Sequence, residues 1–249
     1  MPTSPVDGLL RACRYSFATN RLNYCGPENA FQTFQAFIAA GPAPAQAPQI
    51  RKLLEGFAGL NVYLDLIASA NNRDPFDAEV IEAYWLGNRL LDAIPFDRFK
   101  SVLSDRLPKA GLPKAIVESK VARMKPTFNA HHSFHVLYIN FITPKVPKIV
   151  ENLDACLPLT GKIVEVRGNQ LVLAAKRLVR DAPGAHSAQG FSFEPVLKTV
   201  ENPFIERPQA GELVSFHWST AVERLSQTQA AALQRYTLAN VETVNSLLL

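Results

Sequence analysis

The chain has 249 residues, enough to bury a substantial core as one large domain or two modest ones. A hydrophobic share of 47% against 19% charged residues excludes an intrinsically disordered chain, and no apolar run has the length of a membrane span. Three cysteines are too few for a disulfide scaffold, and the amino terminus has neither the basic nor the apolar stretch of a secretory signal, so a cytoplasmic location is expected.

The net charge of +4 is uneven. Residues 1–150 carry 17 Lys/Arg against 12 Asp/Glu, a balance of +5, and residues 151–249 carry 9 against 10, a balance of −1. Eight basic side chains fall between Arg98 and Lys125, read either as a solvated helical face or as a surface that steers an acidic partner. No aromatic residues are interleaved with them as a nucleic-acid platform requires, so neither nucleic acid nor membrane is an expected partner.

The first 150 residues read as mostly helical. Gly26-Pro27-Glu28 looks like a helix start, followed by Phe31, Phe34, Phe37 and Ile38 at helical spacing. The Pro/Ala run from Gly41 to Pro48 breaks that helix. Ile50, Leu53, Leu54, Phe57, Leu60, Leu64 and Ile67 predict one long helix to about Ala70. Asp77 is placed to cap a third, carrying Val80, Ile81, Tyr84, Trp85 and Leu91. Phe96, Phe99, Val102 and Leu103 predict a fourth, and residues 113–124 a fifth.

At His131 the composition changes. The run from His131 to Phe141 is dense in β-branched and aromatic residues and predicts a strand. Pro144 and Pro147 punctuate the next stretch, and a short helix from Lys148 to Leu153 joins the two halves. Beyond Thr160 the alternation is β-like, with Gly168-Asn169 as a hairpin turn and Leu171 to Leu173 as the returning strand. Asp181 to Gly190 reads as an exposed loop. Phe191, Phe193, Val196, Leu197 and Val200 make further strands, and Leu213, Val214 and Phe216 the last. Ser226-Gln227-Thr228-Gln229 is a capping-box pattern opening a final helix.

Two stretches carry the strongest chemical signal: Ala155 to Val166, with Cys156 near the lip of a strand, and Gly211 to Trp218, with His217 at a strand end. One soft and one borderline donor, meeting at one edge of a small barrel, suit iron or zinc. The order Cys156-Leu157-Pro158-Leu159-Thr160-Gly161-Lys162-Ile163, then Gly211-Glu212-Leu213-Val214-Ser215-Phe216-His217 before a terminal helix, resembles the HypC family of nickel–iron hydrogenase maturation chaperones. The whole chain also resembles an uncharacterised bacterial family associated with such hydrogenases. The HypC resemblance covers about ninety residues from Cys156. It implies that Cys156 and His217 hold an iron atom bearing cyanide and carbon monoxide, with a maturation scaffold protein or the hydrogenase large subunit as partner. The chain departs from the family pattern in three ways. Cys156 is internal and has no free amine beside it, Thr160 replaces a proline, and Trp218 follows the histidine. The expected fold class is α+β, with residues 1–150 as a helical domain and residues 151–249 as a small OB-like β-barrel plus a terminal helix.

In the amino-terminal half, His131, His132 and His135 cluster, and Cys25 precedes a helix start whose dipole lowers a thiol pKa. They make a second candidate metal site; the plain alternative is core packing and local hydrogen bonding. Polar aromatic runs place Asn23, Tyr24, Tyr84, Trp85 and Asn88 as candidate pocket residues. The function expected is an accessory protein that binds or transfers the iron–diatomic group. Two alternatives stay open: an enzyme whose helical half makes or loads a diatomic ligand, or an OB-like nucleic-acid-binding module.

Overall fold

The computed structural model describes residues 5–41, 44–140, 146–181 and 190–248. Its first helix, α1 (Pro5–Arg21), has no counterpart in the sequence reading. The side chains of residues 15–20 are all buried. The helix's polar stripe of Asp7, Arg11 and Arg14 is only half-buried, and in its last turns the polar Ser16, Thr19 and Asn20 are buried alongside apolar residues, so polarity does not mark the outer face there.

Helix α2 spans Ala30–Ala40 and begins later than Gly26-Pro27 suggests, because Asn29 takes a left-handed conformation as its N-cap. The long helix expected from Ile50 is two, α3 (Ala47–Glu55) and α4 (Ala58–Ala70), preceded by a 3₁₀ turn at Pro44–Gln46 and bent by 110°. At the bend the side-chain amide of Asn61 donates to the carbonyls of Leu54, Glu55 and Phe57, and its backbone N–H also donates to Phe57. Among the described residues no single helix is long and apolar enough to cross a membrane; the bent pair passes by length and composition, with its apolar side chains in the core.

Helix α5 (Ala78–Trp85) is capped by Asp77, whose carboxylate accepts from the Glu79 N–H, as expected. It stops before Leu91, since Gly87 is left-handed (φ 84°). Helices α6 (Phe96–Lys109) and α7 (Lys114–Ala122) follow.

The strand expected at 131–141 is instead a helical turn, α8 (His132–Phe134), continuing as a π-helix over His135–Ile139. Phe141 and Pro144 lie outside the described residues. The segment packs against α7, α9 and α10, where no strand edge is available to pair with it. Tertiary surroundings override its β propensity.

Helix α9 (Val150–Cys156) leads into five strands: β1 (Leu159–Arg167), β2 (Gln170–Arg180), β3 (Phe191–Glu201), β4 (Leu213–His217) and β5 (Thr220–Arg224). The β1–β2 turn is at Gly168-Asn169, and the positions read as several strands after Phe191 form one. Of the predicted loop, residues 182–189 lie outside the described residues. The strands pair in the order β1-β2-β3-β5-β4, and β4 returns to β1, so the sheet closes on itself. The β3–β5 seam is a single parallel pair, Glu201 with Thr220. Helix α10 (Gln227–Asn245) opens with the predicted capping box between Ser226 and Gln229. It packs on α8, the π-turn and the sheet, and one buried apolar cluster runs from Val6 to Val244.

Candidate metal centre at the helix–sheet junction

Three chain segments converge where the helices meet the open end of the sheet. Cys156 is the last residue of α9. His217 ends β4, just before a two-residue turn in which Trp218 and Ser219 are both left-handed (φ 49° and 56°). The Trp218 N–H donates to the Ala155 carbonyl at 2.8 Å, which ties that turn to the end of α9. His132 opens α8, where His131 serves as N-cap by accepting from the Ser133 N–H. As a result Cys156 Sγ and one ring nitrogen each of His132 and His217 lie within 4.8 Å of one another, and all three residues are buried. Tetrahedral coordination separates N and S donors by roughly 3.3–3.8 Å. The Cys156 Sγ–His132 Nε2 distance is already 3.8 Å, so small side-chain adjustments complete the set.

The protonation pattern follows from the partners. His217 Nδ1 lies 3.0 Å from the Tyr15 carbonyl, which can only accept, so Nδ1 carries the proton and Nε2 presents its lone pair. That Nε2 is buried with no hydrogen-bond partner among the described residues. Burial lowers the His217 pKa to about 4, with the Tyr15 and Cys156 carbonyls opposing the shift; the second is an acceptor beside Nε2 and offers the neutral ring no hydrogen there. His132 is pushed well below its ordinary value by burial and then by His217. Its Nδ1 lies 2.8 Å from the Tyr84 hydroxyl and its Nε2 3.1 Å from the Cys156 carbonyl. With Nε2–H donating to that carbonyl, Tyr84 donates to Nδ1. When the phenol instead accepts from Nδ1–H, Nε2 is released as a donor atom facing the thiol. Burial drives the Cys156 thiol up, so the resting set is two neutral imidazoles and one thiol.

Trp85 backs the centre. Its ring stacks on Tyr15 at 4.8 Å and packs on His132 at 4.4 Å and His217 at 5.3 Å. In front lies a cavity of about 260 Å³ whose walls include Tyr24, Cys25, Phe57, Gly59, Trp85 and His135. Its lining mixes these with the polar side chains of Ser16 and Thr19, and the burial of the three donors strengthens any charge placed among them.

The structure therefore brings together residues from both candidate sets: Cys156 and His217 from one, His132 from the other. Cys25, His135, Tyr24, Tyr84 and Trp85 line the same cavity. The Cys25 thiol does not gain from a helix dipole; burial raises it to about 11. His131 faces away, with Nδ1 on Ser133 and Nε2 on the Trp85 carbonyl. Asn23 is exposed at a left-handed turn, and Asn88 bonds the Glu79 carbonyl and the Leu90 N–H. Sequence reasoning missed the Tyr15 carbonyl, which leaves no side-chain signature, and Gly59, hidden inside a helical pattern. In the basic segment, Arg106, Lys109 and Lys114 pair with Asp65, Asp105 and Glu118, and Lys125 bonds Ser246.

The model of a family described as a family of unknown function, DUF6390, matches residues 4–249. No curated protein and no solved structure matches the chain.

Proposed function

The chain belongs to the DUF6390 family, a family of unknown function, and from the geometry of its site we propose that it binds and hands over a transition-metal ion through Cys156, His217 and His132. The observation that carries this reading is His217 Nε2, a buried lone pair without a hydrogen-bond partner among the described residues. Leaving such an acceptor unpaired costs on the order of 1–3 kcal/mol, which a metal bond would offset. A thiolate with two imidazoles suits borderline ions, iron and zinc among them. Bound to a divalent ion, this set leaves one net positive charge and open coordination positions toward the cavity.

The resemblance to HypC chaperones selects iron bearing cyanide and carbon monoxide as the cargo, and assembly of nickel–iron hydrogenase as the process. A maturation scaffold or the hydrogenase large subunit would then be the partner, and the closed, OB-like sheet the counterpart of the chaperone barrel. Those chaperones have a free amine beside their cysteine. Here Cys156 is internal, and His132 supplies a nitrogen donor from the helical half. In this role Tyr15 fixes the His217 tautomer, Tyr84 takes the proton-donor or acceptor role His132 requires, and Trp85 holds both rings in place.

The test is anaerobic loading of the full chain with Fe(II), or with Co(II) as a spectroscopic reporter. One equivalent should bind with a thiolate-to-metal charge-transfer band that Cys156→Ala abolishes. Loss of binding in His217→Ala and His132→Ala completes the assignment. Co-purification with the maturation scaffold, with infrared bands from diatomic ligands on the bound iron, tests the cargo. Absence of stoichiometric metal binding by the folded protein would reject the reading.

A further inference from the structure

Cys25 stands on the route between solvent and the buried donors. The cavity in front of the centre is half-open. Its deep end holds Cys156, His132 and His217, all buried, while Gly26, Gly56 and Ala58 on its wall are exposed and mark the mouth. None of those three mouth residues has a side chain that can hold a metal. Cys25 lines the same cavity, is half-buried and carries a free thiol. That sulfur is reached from solvent before the deep donors are.

The loop is held so as to keep Cys25 there. The Asn20 amide donates to the Cys25 carbonyl at 2.8 Å. The Tyr24 ring packs at 4.9 Å on Trp218, the residue after His217. Gly26 is left-handed (φ 81°), and a Cβ there would come within 2.2 Å of the Phe57 ring, so this approach of the loop requires glycine.

Burial and, after it, Cys25 raise the Cys156 thiol, which puts the two sulfurs within electrostatic reach of one another. Cys25 is nonetheless outside the resident set: the donor atoms that lie within 4.8 Å of one another belong to His132, Cys156 and His217. At the deep end His217 Nε2 is buried and without a hydrogen-bond partner among the described residues. A soft sulfur short of that vacant lone pair is placed to deliver an ion to it.

We infer that Cys25 is a relay ligand, which takes a metal ion at the cavity mouth, passes it to Cys156 and His217, and receives it again on handover. The inference rests on the metal-binding reading above and adds the route by which the site fills and empties. Each pass is a ligand exchange without oxidation or reduction. On the way in, the Cys25 sulfur–metal bond breaks as the Cys156 sulfur–metal bond forms, and the Cys25 thiolate takes the proton that leaves Cys156. A ligand bonded only in transit lowers the barrier in both directions and leaves the equilibrium where it was.

The experiment uses the full chain and stopped-flow absorption at the cobalt–thiolate band, during loading with Co(II) and during release to excess EDTA. Cys25→Ser should slow loading and release alike, by about tenfold, while equilibrium Co(II) affinity stays within about twofold and the band keeps its intensity. Cys25→His, which restores a donor atom, should recover much of the lost rate. If Cys25→Ser does not fold, Cys25→Ala decides. Rates that are unchanged or faster in the folded variants overturn the relay and leave the metal reading intact. A weaker affinity with a weaker band makes Cys25 a resident ligand, which also overturns the relay. Failure of Co(II) to bind the unsubstituted protein overturns both readings.

Discussion

His217 on β4 donates from Nδ1 to the backbone carbonyl of Tyr15 on α1 at 3.0 Å, a bond between residues 202 positions apart. It joins the first helix to the sheet and dictates which nitrogen of His217 faces Cys156. A metal-ligating imidazole held through its other nitrogen has a fixed tautomer and ring plane. The consequences are measurable.

Metal binding should release one proton. Both imidazoles are neutral at pH 7, His217 with a pKa near 4, and the Cys156 thiol is held protonated by burial. Only the thiol loses its proton to the solution; the His132 proton moves from one ring nitrogen to the other. Apparent affinity should then rise about tenfold per pH unit around neutrality. Titration calorimetry of Co(II) binding in buffers of different ionisation enthalpy counts the protons, and a count of two or more would mean that an imidazole starts out charged.

Tyr84→Phe should weaken metal binding more than it weakens the fold. It removes the hydroxyl 2.8 Å from His132 Nδ1. The loss expected is about 10–100-fold in metal affinity, with a stability cost of about 1–2 kcal/mol. Competition with a chromophoric chelator measures the first and urea unfolding the second. An unchanged affinity would remove His132 from the ligand set.

Stability should fall in mild acid. His131 and His217 both have folded-state pKa values near 4, lowered by burial from 6.5. The unfolded chain therefore takes up these protons first, and stability present above pH 6.5 is lost as the pH falls toward 4. The two groups together withdraw on the order of 6 kcal/mol across that window, before other residues are counted. Urea midpoints measured between pH 7.5 and 4.5 should decrease steadily. A flat profile would mean that these imidazoles are not held neutral.

Asn20→Ala should loosen the loop that carries Cys25 into the cavity. The Asn20 amide donates to the Cys25 and Pro27 carbonyls at 2.8 and 2.7 Å and accepts from the Phe31 N–H at 2.7 Å. Losing these contacts should cost about 2–4 kcal/mol and speed alkylation of Cys25, which mass spectrometry resolves from Cys156. An unchanged alkylation rate would show that the loop is held by other contacts.

The sequence by itself determined the features written in local chemistry. The Asp77 cap, the Ser226–Gln229 capping box and the Gly168-Asn169 turn were legible because each depends on neighbours within a few residues. So was the placement of Cys156 and His217 close to element ends. The tertiary structure alone decided the rest. The helical run after His131 is buried on nearly all sides, which removes the periodicity that distinguishes helix from strand, and in α1 the polar Ser16, Thr19 and Asn20 are buried with the apolar residues. The choice among His131, His132 and His135 was equally hidden. His131 is the extended N-cap (ψ 154°) and His132 the first residue of the turn, so where the helix starts, with that turn packed on α10, sends His132 to Cys156 and His131 to the Trp85 carbonyl.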